Sequence, residues 1–180
     1  MFVRTERLLL RPGWREDAPA VFRAVADEGI ARNLARLPWP YRPEHAEQWL
    51  AQPQDPLWPS MLIFLRSEAA PELVGGIGIH LGEEGGPELG YWIARAHWGR
   101  GIATEAGRAT IAAARDTLRL PRLHSGHFVD NPASGRVLEK LGFRATGRVV
   151  PRRSLARGCD VPCRLLELDL AEADTIAMAA

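Results

Sequence analysis

The sequence predicts an α/β fold, one central, mixed and partly parallel sheet with helices on both faces. Three observations carry that expectation. The first half reads as a meander and the second as strand–helix–strand crossings, which require parallel neighbours. A tight Gly-Arg-Gly turn at 99–101 separates an apolar, aromatic strand from an alanine-rich helix. A short helix at 132–141 has both its start and its stop written in the residues.

Residues 3–11 read as an opening strand that Pro12-Gly13 ends. Asp17 suits the N-cap of a helix running to Ala26, with Val21, Phe22 and Val25 at helical spacing. Pro38, Pro40 and Pro43 stiffen an aromatic loop over 36–43 that holds Trp39 and Tyr41, and a short helix follows around Glu44–Leu50. Pro53, Pro56 and Pro59 make a second loop. Met61–Arg66 and Leu73–Leu81 are strands joined by a polar turn, and Gly82–Pro87 turns the chain into the strand Glu88–Ala94.

A helix is expected at about 103–118. Ala103, Ala106, Gly107, Thr110, Ala114 and Leu118 share one face, while Glu105, Arg108, Ala112 and Arg115 share the other. Small residues on the inward face let that helix approach the sheet closely. Arg122–Val129 is a strand. In the helix that follows, Asn131 suits the N-cap, Pro132 the first position and Gly142 the left-handed stop, with Phe143 folding back on Leu138. Phe143–Val150 and Arg164–Leu170 complete the strands. No internal repeat or linker interrupts the order, so residues 1–180 are expected to form a single domain.

Composition narrows the function. At 180 residues, 46% hydrophobic and 25% charged, the chain reads as a globular protein with ample core. A formal net charge of +1 gives no reason to expect a nucleic-acid or membrane partner. No apolar run reaches the length of a membrane span, and residues 1–7 lack the order of a signal peptide, so a cytoplasmic location is expected. Cys159 and Cys163 read as reduced thiols, and His80, His97, His124 and His127 lack metal-ligand spacing, so no metal is expected. Arg148, Arg152, Arg153 and Arg157 read first as a solvated loop between the last strands, and second as a means of steering an acidic acceptor.

The Gly-Arg-Gly turn points to a ligand. It opens a helix whose first backbone N–H groups have no partner within the helix, and the helix dipole favours negative charge there. Such a turn is a seat for a phosphate or diphosphate. A nucleotide-binding module is disfavoured, because no Gly-x4-Gly-Lys-Ser/Thr loop occurs and Gly99 and Gly101 lack the third glycine of a dinucleotide fingerprint.

Taken together, Glu-Leu-Gly-Tyr-Trp-Ile at 88–93, Trp-Gly-Arg-Gly-Ile-Ala-Thr-Glu-Ala at 98–106, Asn-Pro-Ala-Ser at 131–134 and Val-Leu-Glu-Lys-Leu-Gly-Phe at 137–143 resemble the GNAT superfamily of acyl-CoA-dependent N-acetyltransferases. They look most like its Rim-like branch, the ribosomal-protein N-terminal acetyltransferases, whose first strand is also similar to Glu-Arg-Leu-Leu-Leu-Arg at 6–11. The resemblance runs from about residue 3 to residue 170.

It implies acetyl-CoA as cosubstrate, with the backbone N–H groups of Gly99, Arg100, Gly101, Ile102, Ala103 and Thr104 on its diphosphate. Trp98 stands where the family has arginine or glutamine, and the Arg100 side chain is within reach of a phosphate. The strands at 88–94 and 122–129 are expected to splay, so that Tyr91, Trp92 and Ile93 offer backbone groups to the pantetheine as to an added strand. Asn131 meets the same arm while capping its helix.

Glu88 is the expected base, acting directly or through water, and a backbone N–H within 91–93 is the expected donor to the thioester oxygen. Many members carry a tyrosine acid where this chain has Leu138. Ser134 is the expected replacement, although a serine there also suits a bond to its own helix backbone. Glu105 is expected to be structural, favourable with the dipole. Trp39 and Tyr41, with Trp14, are expected to wall the acceptor, and core packing explains them equally well. The implied activity is direct acetyl transfer to a primary amine, on a small molecule or a protein N-terminus. The alternative is a non-catalytic acyl-CoA-binding or sensing domain. A homodimer is compatible with either.

Overall fold

The computed structural model describes residues 1–67 and 70–171. The tip of the expected polar turn, 68–69, and the end of the expected domain, 172–180, lie outside the described residues. The strands are β1 (Val3–Arg4), β2 (Leu8–Arg11), β3 (Ser60–Leu65), β4 (Glu72–Leu81), β5 (Pro87–Ile93), β6 (Arg122–Phe128), β7 (Arg144–Ser154) and β8 (Cys159–Asp169). The helices are α1 (Ala18–Val25), α2 (Glu28–Ala31), α3 (Pro43–Leu50), α4 (Ile102–Asp116) and α5 (Pro132–Lys140). The strands form one mixed sheet in the order β1-β2-β3-β4-β5-β6-β8-β7, with a parallel pairing between β5 and β6. The expected α/β class and the helices on both faces are what the structure has.

The two-residue period of a strand sorts the core into two layers. In β3, Met61 and Ile63 face α4 and α5, where they join Leu8, Leu10, Leu89, Ile102, Ala106 and Leu138. Leu62 and Phe64 face the other way, onto Val21, Val25, Ala46 and Leu50 of α1 and α3. A strand covered on both faces reads as an unbroken apolar run, as Ser60–Leu65 does. Each such leucine or isoleucine contributes about 1.5–3 kcal/mol on burial.

The small face of α4 is the expected one. A Cβ added at Gly107 would lie 2.5 Å from the Leu141 side chain, so α4 and the end of α5 meet closely and a larger residue would make Leu141 move. The α5 stop is also as expected. Gly142 has φ +91°, its N–H bonds Glu139 O at 3.0 Å, and Phe143 N–H bonds Leu138 O at 3.0 Å.

The structure differs from expectation in three respects. The opening strand is broken into β1 and β2 by a turn in which Thr5 N–H bonds Leu8 O and Leu8 N–H bonds Thr5 Oγ1, both at 3.0 Å. Helix α2 is additional, started by Asp27, whose side chain accepts from Ile30 N–H. Strands β7 and β8 run longer than expected, through Pro151 and Pro162, which face each other. Because β7 is the sheet edge, the N–H that Pro151 lacks costs no ladder bond. Arg148, Arg152 and Arg153 therefore lie on a strand, not on the solvated loop expected for them.

Candidate active site

The sheet opens between β5 and β6. Their pairing is a single rung, Glu88 opposite His124, reinforced by Ser125 Oγ donating to Leu89 O at 2.9 Å. Beyond it the two strands part. On β5 the even residues Glu88, Gly90 and Trp92 pair across to His80, Gly78 and Gly76 of β4, and Ala94 N–H bonds Val74 O at 2.9 Å. By alternation, Leu89, Tyr91 and Ile93 turn their backbone groups toward the gap. The Ile93 carbonyl is taken by Trp98 Nε1 at 2.7 Å, which leaves Tyr91 and the Ile93 N–H facing the opening. Trp92 departs from expectation for the same reason. Its backbone belongs to β4, and its indole covers Gly76 on the α1–α3 face.

The Gly-Arg-Gly turn leads directly into α4. Gly99 and Gly101 have φ of +73° and +76°, a region that L side chains adopt only under strain. The first α4 bond runs from Glu105 N–H to Gly101 O at 3.0 Å, so the N–H groups of Gly99 through Thr104 find no acceptor among the described residues. The Arg100 guanidinium is held by His97 Nδ1 at 3.2 Å, and His97 is buried against Glu72 at 3.0 Å. The Arg100 side chain is thus turned toward His97 while its backbone N–H stays without an acceptor among the described residues.

A neighbour that the sequence reading missed is Arg7. Its Nη1 donates to Arg100 O at 3.2 Å, and its Nη2 lies 2.6 Å from Glu105 Oε2. Glu105 also accepts from Thr5 Oγ1 at 2.5 Å and Arg7 N–H at 3.1 Å, tying the β1–β2 turn to α4. This is the structural role expected for it. Burial pushes the Glu105 carboxyl up, but the Thr5 and Arg7 contacts outweigh it and hold the group below its ordinary 4.5. A folded pKa below the unfolded one gives stability that is complete above the unfolded value and lost as pH falls through the folded one. Glu105→Gln should therefore flatten part of the fall in Tm on acidification below about pH 4.5, measured by thermal melts across an acid series.

On the α5 side of the gap stand two hydroxyls. Tyr91 Oη and Ser134 Oγ are 2.7 Å apart, and Tyr91 Oη also lies 3.4 Å from Ser134 O. Burial pushes the Tyr91 phenol up to about 12, against a smaller opposing effect of its bond to Ser134, so it is protonated at neutral pH. Asn131 caps α5 through Oδ1, which accepts from Ser134 N–H at 3.3 Å. The Tyr91 side chain, expected only for its backbone, thus places a phenol beside Ser134. Leu138 itself is fully buried.

On the opposite, α1–α3 face a cavity of about 710 Å³ opens onto the same gap. Glu88, Tyr41, Trp49, Trp92, His80 and Arg152 are among its walls. Both Glu88 oxygens accept from Arg152, at 2.5 and 3.1 Å, in a pair only 12% and 10% exposed. The Arg152 Nε is buried with no hydrogen bond among the described residues. Tyr41 packs on Phe22 and His45, and burial pushes its phenol up to about 12. Trp39 is a correction. It is exposed at the surface and outside the walls of this cavity, whereas Trp49, Trp58 and Trp92 line it. Trp14 covers the Arg11 guanidinium and is likewise outside. Among the described residues no helix is long and apolar enough to cross a membrane, and no group of three His, Cys, Asp or Glu side chains is placed to hold a metal.

A sheet parted between parallel strands, with a glycine turn and helix start on one side of the opening, defines the class of acetyltransferase-fold proteins. The chain belongs to the GNAT acetyltransferase family: the model of the acetyltransferase (GNAT) domain matches residues 7–144. YoaA of Bacillus subtilis (strain 168), named an uncharacterized N-acetyltransferase, is 26% identical over 162 residues, 81% of this chain and 84% of that protein. The GNAT-family acetyltransferase from Bacillus anthracis superposes with a TM-score of 0.81 at 23% identity, over 95% of this chain and 99% of that one. RimL, a ribosomal L7/L12 alpha-N-protein acetyltransferase solved with coenzyme A, superposes with a TM-score of 0.76 at 20% identity, over 94% and 98%. These two structural likenesses concern the fold.

Proposed function

We propose that this chain transfers the acetyl group of acetyl-CoA directly to a primary amine, on a small molecule or a peptide N-terminus. The observation that carries the reading is the juxtaposition at the parted strands. The unsatisfied N–H groups of Gly99–Thr104 lie at one end, and the Tyr91–Ser134 hydroxyl pair lies alongside the free β5 edge. Those N–H groups fit a diphosphate, and the open backbone of Tyr91 and Ile93 fits a pantetheine amide chain. That RimL was solved with coenzyme A supports the same choice.

Acetyl-CoA supplies an activated acyl group, and the chain supplies the rest. An N–H of Tyr91 or Ile93 polarises the thioester oxygen. The Tyr91–Ser134 pair, neutral and protonated, donates to the departing sulfur. Asn131 fixes the α5 start from which Ser134 projects and offers its amide N–H to the pantetheine. Glu88 and Tyr41 face the incoming amine from the cavity.

The test is a calorimetric titration with acetyl-CoA, followed by CoA release with a panel of amines and N-terminal peptides. Gly101→Val should weaken acetyl-CoA about 5- to 10²-fold, since a branched residue at this left-handed position carries strain of order 1–3 kcal/mol. No heat on titration sinks the reading. Heat without CoA release from any amine indicates an acyl-CoA-sensing domain instead.

A further inference from the structure

The cavity on the α1–α3 face contains an imidazole for which the fold has no use. His80 ends β4 opposite Glu88, and its ring lies over Gly90, where an added Cβ would be 3.3 Å from Cε1. It makes no hydrogen bond to the described residues, and its Nε2 is 4.0 Å from Glu88 Oε1. The other imidazoles of this cavity are engaged. His45 Nδ1 accepts from Arg42 N–H at the start of α3, and His127 packs on Gly135 of α5 with Nδ1 2.9 Å from Phe128 O.

Glu88, the expected base, has both oxygens occupied by Arg152. A proton arriving there must share or displace an arginine contact. We propose that His80 Nε2 takes the proton that the acceptor ammonium must lose, and that Glu88 steadies the resulting imidazolium from behind. This rests on the transferase reading above.

The charges around the ring suit that division. Burial, Arg36 from the loop after α2 and Arg152 from β7 hold His80 below its ordinary value, against the opposing pull of Glu88 from β5. The imidazole is therefore neutral at physiological pH and free to accept. Glu83 Oε2 lies 3.9 Å from Arg152 Nε, and Cys163 of β8 also faces that arginine.

In the step itself the ammonium N–H bond breaks, an Nε2–H bond forms, and the electron pair stays on the amine nitrogen to attack the acyl carbon. Of the two protons an ammonium sheds on becoming an amide, the sulfur of CoA takes one. The other returns to water through His80, whose side chain is 36% exposed.

Two amines of the same carbon skeleton and different basicity test this, ethylamine and 2,2,2-trifluoroethylamine, the second already neutral at pH 7. His80→Gln should lower kcat/KM for ethylamine about 10²-fold. Trifluoroethylamine, which has no proton to lose before attack, should be nearly unaffected, and the calorimetric affinity for acetyl-CoA should not change. Free imidazole should restore ethylamine turnover to His80→Ala. Equal loss for both amines, or no loss, overturns the assignment. A wild-type chain that binds acetyl-CoA yet releases CoA with neither these amines nor the wider panel overturns the transferase reading beneath it.

Discussion

Ser134→Ala is expected to lower kcat about 10²-fold while leaving the acetyl-CoA dissociation constant within about twofold. The asymmetry follows from what the hydroxyl touches. A serine in the first turn of a helix often bonds its own backbone, and its loss is then a matter of stability. Here the cap is made by Asn131, and the Ser134 hydroxyl is spent on Tyr91 Oη at 2.7 Å. Its removal takes a donor from the parted strands and nothing from the helix start. Tyr91→Phe should reduce kcat to a similar extent, and the double variant should be little worse than either single one, because the two hydroxyls act as one unit. Steady-state kinetics beside calorimetry reads this out. Parallel loss of kcat and acetyl-CoA affinity, or strictly multiplicative effects, would exclude the pair as the proton source.

The largest effect on stability is expected at Arg152. Arg152→Ala leaves the Glu88 carboxylate buried beside a vacated space, a situation that typically costs about 3–5 kcal/mol. For a domain of this size that is a fall in Tm of roughly 10 °C, measured by calorimetry or circular dichroism. The cost lies in the orphaned partner more than in the lost attraction, so Arg152→Met with Glu88→Gln should recover most of it. A single variant that melts like the wild type would show that the pair is hydrated in solution. Arg152 is far from neutral background: burial works against its charge, and Glu88 more than restores it.

What the sequence made legible is what short stretches encode. The glycine turn, the small face of α4 and both caps of α5 depend on residues within a turn or two of each other, and their spacing can be read directly. The parted strands followed from a likeness of motifs. The remainder is long-range. Tyr91 and Ser134 lie 43 positions apart, and Glu88 and Arg152 lie 64 apart, so neither pairing leaves a periodic trace. The Arg148–Arg157 segment looked like a solvated loop because Pro151 and its run of charges interrupt any strand pattern, and the edge position of β7 accommodates the proline. Trp39 and Tyr41 sit two residues apart in one proline-rich loop. Which of them turns inward was decided by the fit of Tyr41 between Phe22 and His45, which no spacing rule reports.

Beyond the β6–β8 ladder, three arginines of the β7–β8 hairpin make ion pairs to other elements. Arg148 holds Glu84 in the β4–β5 turn, Arg152 holds Glu88, and Arg157 holds Asp130 ahead of α5. The first two cross from the β6–β8 half of the sheet to the β4–β5 half, and at the hairpin tip Leu155 N–H to Ala35 O and Arg157 Nε to Arg32 O cross as well. The outer two have exposed acids and yield to dissolved salt, while the central one is shielded from it. Dissolved salt should therefore loosen the Glu84 and Asp130 contacts before it reaches the Glu88–Arg152 pair.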